Sequence, residues 1–109
     1  MAILDTSLFS PELVFFDATA TTGTELFSWL REKLAPMGYL EDSWLQAIIT
    51  RENNYPTGLE SDNISVAIPH VEPENIAKPY IAVVKPKKPV AFEPMAVMVD
   101  HPVQAQLII

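Results

Sequence analysis

The run Leu13-Val14-Phe15-Phe16 is apolar and rich in strand formers, and it ends at Asp17 and a Thr/Ala-rich turn. Such a run, bounded by turn residues, predicts a buried strand. The period then changes. Leu26, Leu30 and Leu34 follow at four-residue steps with Phe27 beside them, which predicts an amphipathic helix with one face for a core. Thr22-Gly23-Thr24-Glu25 has the Thr-x-x-Glu spacing of a capping box at its start. Pro36 stops it and Gly38 makes the turn. A second stripe, Trp44 and Ile48 joined by Leu45 and Ile49, predicts another helix, opened near Asp42 as N-cap. Arg51 falls in its last turn, where a cation suits the helix dipole.

Asn53 to Asn63 holds Pro, Gly, Asn and Asp and predicts a loop. Ile64 to Ile68 is rich in β-branched residues and predicts a strand that stops at Pro69. Glu72-Pro73-Glu74-Asn75 suits a short helical turn. Pro79 to Val84, Pro89 to Phe92 and Val103 to Ile109 are the remaining extended pieces. The order of one strand, two helices and then several strands predicts an α/β domain, a mixed sheet flanked by helices. At 109 residues the chain fits one domain, 1–109.

Composition narrows the function. Apolar residues make up 49% of the chain, enough for a real core despite ten prolines. The net charge of −7 gives no electrostatic grip on nucleic acid or anionic lipid. Lys85, Lys87 and Lys88 read as a solubilising loop. With no cysteine, disulfides, thiolate catalysis and cysteine zinc sites are excluded. No apolar run has the length of a membrane span, and Met1 to Ser10 lacks the pattern of a secretory signal. A cytoplasmic protein is the expectation.

Chemistry has few candidates among two histidines. There is no Gly-rich phosphate loop, no His-x-x-x-His pair and no Gly-x-Ser-x-Gly elbow. His70, Glu72 and Glu74 suggest a metal cluster on paper, but neighbouring loop carboxylates are usually only solvated. His70 is better placed than a random histidine. It follows Ile64-Ser65-Val66-Ala67-Ile68-Pro69, and the proline stiffens the chain where the imidazole emerges. Local physics alone still leaves an ordinary surface histidine as the simpler reading. Arg51 equally reads as a cation bonding the last carbonyls of its helix. Trp29 and Trp44, at helical spacing, read as core.

The stretch Arg51-Glu52-Asn53-Asn54-Tyr55-Pro56-Thr57-Gly58-Leu59, followed by Val66-Ala67-Ile68-Pro69-His70, resembles the signature of sugar-phosphotransferase enzyme IIA domains of the fructose, mannitol and galactitol type. His70-Val71-Glu72-Pro73-Glu74-Asn75-Ile76 is similar to the galactitol-type continuation, and Lys85 to Met95 to the family's Lys-Pro, Phe and Pro-Met stretch. The resemblance implies the enzyme IIA (phosphotransferase/anion transport protein) fold and a phosphotransferase component with no metal or organic cofactor. It implies that His70 accepts the phosphoryl group, that Arg51 stabilises it, and that Thr57 and Gly58 add supporting donors. It implies the phosphocarrier protein HPr as donor, enzyme IIB as acceptor and, indirectly, the membrane permease enzyme IIC. The alternative is a regulatory enzyme IIA-like module that senses phosphorylation without a sugar relay.

One departure stands out. The resemblance implies further helices after the last strand, one of them carrying a second histidine near the first. Here the sequence stops at Ile109, so the domain is expected to be C-terminally truncated. His101, in Asp100-His101-Pro102, does not match that second histidine and reads as a loop residue without a role. An uncovered apolar strand at Val103 to Ile109 offers unpaired backbone, so the chain is expected either to self-associate there or to be less stable than a full-length relative.

Overall fold

The computed structural model describes residues 11–60, 64–95 and 101–109. Met1 to Ser10, the last residues of the expected 53–63 loop and Asp100 lie outside the described residues. A 3₁₀ turn, Pro11–Leu13, leads into strand β1, Val14–Phe15. Helix α1 runs over Gly23–Leu34 and opens on the expected capping box. Glu25 N donates to Thr22 Oγ1 at 3.3 Å, and Thr22 N donates back to Glu25 Oε1 at 3.2 Å. Replacing Thr22 by Ala should cost about 1 kcal/mol, as for other lost N-caps. Thermal melting checks this, and an unchanged midpoint would mean that Thr21, which also donates to Glu25, suffices.

Helix α2 spans Trp44–Asn54 and starts later than expected. Ser43, not Asp42, occupies the N-cap position, and it makes no side-chain cap bond. Its hydroxyl is spent on Asn75 Oδ1 at 2.7 Å. That bond fastens the start of α2 to the 3₁₀ turn Pro73–Asn75. The helix also runs past the expected loop start at Asn53.

The remaining strands are short: β2 Gly58–Leu59, β3 Val66–Ala67, β4 Val83–Val84, β5 Val90–Phe92, β6 Val103–Ala105 and β7 Leu107–Ile108. Pro79 has no N–H for a ladder, and the chain before it turns to Tyr39 instead, with Ala77 N on the Tyr39 carbonyl at 2.7 Å. Only the end of the expected 79–84 strand is therefore paired. Five strands form a mixed sheet in the order β1-β4-β7-β3-β2. The β1/β4 and β3/β7 pairs are parallel, and β4/β7 and β2/β3 antiparallel. Strands β5 and β6 make a separate antiparallel pair.

The expectation for the last strand is corrected here. Val103 to Ile109 is two strands in two sheets, broken at Gln106, whose N–H goes to the Ser65 carbonyl at 2.8 Å. β7 is not an edge: it lies between β4 and β3. Val103, Ala105 and Ile108 are all buried. β7 therefore offers no free edge for self-association, while β6 pairs on one side only, with β5.

Leu26, Phe27, Leu30 and Leu34 of α1 and Trp44 and Ile48 of α2 form the core with Phe15, Ala67, Val84 and Ile108 of the sheet. Each large side chain fully buried contributes about 1.5–3 kcal/mol. Trp29 packs edge-on against Phe15, ring centroids 5.5 Å apart. Lys85, Lys87 and Lys88 are exposed. Among the described residues no helix is long and apolar enough to cross a membrane.

Candidate active site

Two elements bring the site together. The last turn of α2 carries Arg51, and the segment leaving β3 carries Ile68-Pro69-His70. Thr57 couples them. It is only 2% exposed. Its hydroxyl donates to Glu52 Oε1 at 2.9 Å and accepts from Ile68 N at 3.2 Å, while its own N–H donates to Glu52 Oε2 at 2.8 Å. The end of α2 is thus tied to the end of β3 through one buried hydroxyl. Burial pushes the Glu52 carboxyl above its ordinary range, against the pull of the two Thr57 donors.

His70 is exposed, and its ring is held from both sides. Nδ1 lies 2.9 Å from the Ile68 carbonyl oxygen, and Nε2 lies 3.1 Å from Arg51 Nη2. A carbonyl only accepts and a guanidinium only donates. Both contacts are met together by one state, the neutral ring with the proton on Nδ1 and the lone pair on Nε2. Arg51 Nη1 donates to Glu72 Oε1 at 2.7 Å. The guanidinium carbon sits 4.8 Å from the centroid of the Tyr55 ring, a cation–π distance. Arg51 Nε is buried without an acceptor among the described residues. The Glu72 carboxyl is held below its ordinary range by its own backbone N–H first and by Arg51 second.

Arg51 and His70, far apart in sequence, are therefore brought into contact. Thr57 and Gly58 are placed differently from open phosphate donors. The Thr57 groups are committed to Glu52 and Ile68, and Gly58 N donates to the Glu93 carbonyl at 3.0 Å. A Cβ on Gly58 would lie 2.7 Å from that same oxygen, so only glycine fits the approach. Both residues hold the loop. His101 is elsewhere, with Nε2 at 2.9 Å from Glu60 Oε2. Among the described residues no three His, Asp or Glu side chains converge as a metal would need.

Glu72, weighed in the sequence only as a metal ligand, and Tyr55 and Glu52, quoted only within the signature, are site components that the sequence reading did not assign. Glu52 stands beside Arg51 in the quoted signature, which was a usable signal. The Glu72 contact spans 21 positions and had none. A cavity of about 380 Å³, lined by residues such as Trp44, Ile48, Ile68 and Ile108, opens beside His70.

The fold is that of mannitol-type enzyme IIA domains. The structure is similar to a chain in the complex of enzyme IIAMTL and phosphorylated enzyme IIBMTL from Escherichia coli, with a TM-score of 0.68 and 24% identity, covering 92% of this chain and 66% of that one. It is also similar to the crystal structure of IIA mannitol from Escherichia coli, with a TM-score of 0.61 and 26% identity over 92% of this chain and 67% of that one. Residues 7–109 match the model of the family described as phosphoenolpyruvate-dependent sugar phosphotransferase system, EIIA 2, and the chain belongs to that family. The galactitol-specific EIIA component of Escherichia coli (strain K12) is 30% identical over 70 residues, 64% of this chain and 47% of the relative. The chain spans about half the length of the curated relatives it matches.

Proposed function

We propose that this chain is a cytoplasmic phosphoryl carrier that takes its group on His70 Nε2 from phosphohistidine on HPr and passes it to enzyme IIB. The observation that carries the reading is the Nε2 lone pair facing Arg51 at 3.1 Å while Nδ1–H is fixed on the Ile68 carbonyl. The lone pair attacks phosphorus, a new N–P bond forms, and the donor N–P bond breaks with its electron pair returning to the HPr imidazole. The donor ring, carrying a proton on its other nitrogen, leaves as neutral imidazole, and Nδ1–H of His70 stays on its carbonyl throughout. Charge spread over the phosphoryl oxygens calls for electrostatic stabilisation. The Arg51 fork suits that charge.

Membership of the family and the enzyme IIA–IIB complex among the structural neighbours support the enzyme IIB step. The galactitol-specific relatives favour a system for that sugar class. No sugar contact is assigned to this chain. Its product would serve the permease enzyme IIC at the membrane.

Incubation with phosphoenolpyruvate, enzyme I and HPr should place acid-labile, alkali-stable label on the chain, and His70→Ala should abolish it. Undiminished label in that variant would sink the assignment, and label on His101 would redirect it.

A further inference from the structure

We infer that Glu72 is a positioning residue that holds Arg51 over the His70 nucleophile in the unphosphorylated chain and is displaced from Arg51 by the arriving phosphoryl group. The inference rests on the carrier reading above and adds a counter-ion exchange to it.

In the resting arrangement the Nε2 lone pair is occupied. It accepts from Arg51 Nη2 at 3.1 Å. That lone pair is the one that must reach phosphorus, so the guanidinium has to leave Nε2 before the N–P bond can form. Three contacts decide where it starts from: Nη1 on Glu72 Oε1 at 2.7 Å, Nη2 on Nε2, and the plane over Tyr55. The Glu72 contact is the shortest and the only charged one, and it uses a single oxygen.

A phosphoryl group on Nε2 offers the same guanidinium several oxygens and a larger negative charge, so it competes for the fork on favourable terms. Glu72 then faces a group of its own sign, with its former partner turned away. The carboxylate therefore has two effects. It pre-orients Arg51 beside the atom that will carry phosphate, which favours rate. It also repels the phosphorylated state, which raises the tendency of His70 to give the group away. A carrier gains from both, since it must load quickly and must not hold on.

The two effects separate by substitution. Glu72→Gln keeps the shape and an oxygen acceptor but removes the charge. It should shift the equilibrium between phosphorylated HPr and phosphorylated His70 about threefold to fivefold toward His70, the size expected for a partly exposed charge pair. Glu72→Asp keeps the charge on a shorter arm. It should leave that equilibrium within about twofold while slowing loading, because the carboxylate no longer reaches Nη1. The side chain is partly exposed, and matching melting midpoints serve as a folding control.

The measurement is the ratio of phosphorylated to free chain at known HPr ratios, with loading rates from quenched time points. An unchanged equilibrium in Glu72→Gln, or a shift toward HPr, overturns the inference while wild-type label on His70 keeps the carrier reading intact. Absence of label on His70 in the wild type overturns the carrier reading itself, and this inference with it.

Discussion

Arg51→Ala is expected to load His70 about 10²-fold more slowly than the wild-type chain, the cost of losing one preorganised donor to developing negative charge. Arg51 has the ring nitrogen, the carboxylate of Glu72 and the face of Tyr55 around it. None of these contacts belongs to the core, so the variant should fold. Lysine in its place should rescue only part of the rate, because a compact ammonium lacks the planar fork. Initial loading rates at fixed phosphorylated HPr would measure this. A variant that melts early yet loads normally once folded would show that Arg51 is only a helix-end cation.

Thr57→Val is expected to destabilise the fold by about 2 kcal/mol at neutral pH. Valine fills the same space but leaves the Ile68 N–H without its acceptor and removes one of the two Thr57 donors to Glu52. Removing one partner from a buried polar pair costs roughly 1–3 kcal/mol. The loss should also depend on pH. Glu52 already titrates above its ordinary value because burial outweighs its hydrogen bonds, and removing a donor raises it further. A carboxyl raised in the folded state costs nothing below its unfolded pKa, and its penalty grows as pH rises through the folded one. The variant should therefore lose less near pH 4 than at pH 7. Denaturant titrations at the two pH values would decide it, and an equal loss at both would remove Glu52 from the explanation.

Local signals carried the helices. The Thr22 to Glu25 box and the Leu26, Leu30, Leu34 stripe lie within one element, so the chain can be read there without knowing what packs against it. The start of α2 misled because two N-capping residue types stand side by side. The choice between Asp42 and Ser43 is made by Asn75, more than 30 positions away. Val103 to Ile109 has no Pro or Gly at its break. What divides it is pairing with Ser65 and Ala67 on one side and with Val90 to Phe92 on the other. At the site, the resemblance singled out His70 and Arg51. Periodicity could not have joined them, because a loop and two strands, β2 and β3, separate the two. Glu72 escaped for the opposite reason. It stood among carboxylates that look merely solvated until Arg51 is folded back onto it.

The position of β7 bears on how the domain assembles. β3 and β2 lie close in sequence, while β1 and β4 are far apart, and among the described residues the two pairs are joined through Leu107 and Ile108. The middle of the sheet is thus the last of the described strands in chain order. Long loops must close before those contacts return any free energy, which places this topology among the slower folders for its size. During synthesis the helices and the β2–β3 hairpin can form as they leave the ribosome, but the halves of the sheet stay separate until residues 107 and 108 have emerged. Until then the apolar strand faces of the two halves stay exposed, open to whatever chaperones attend the chain.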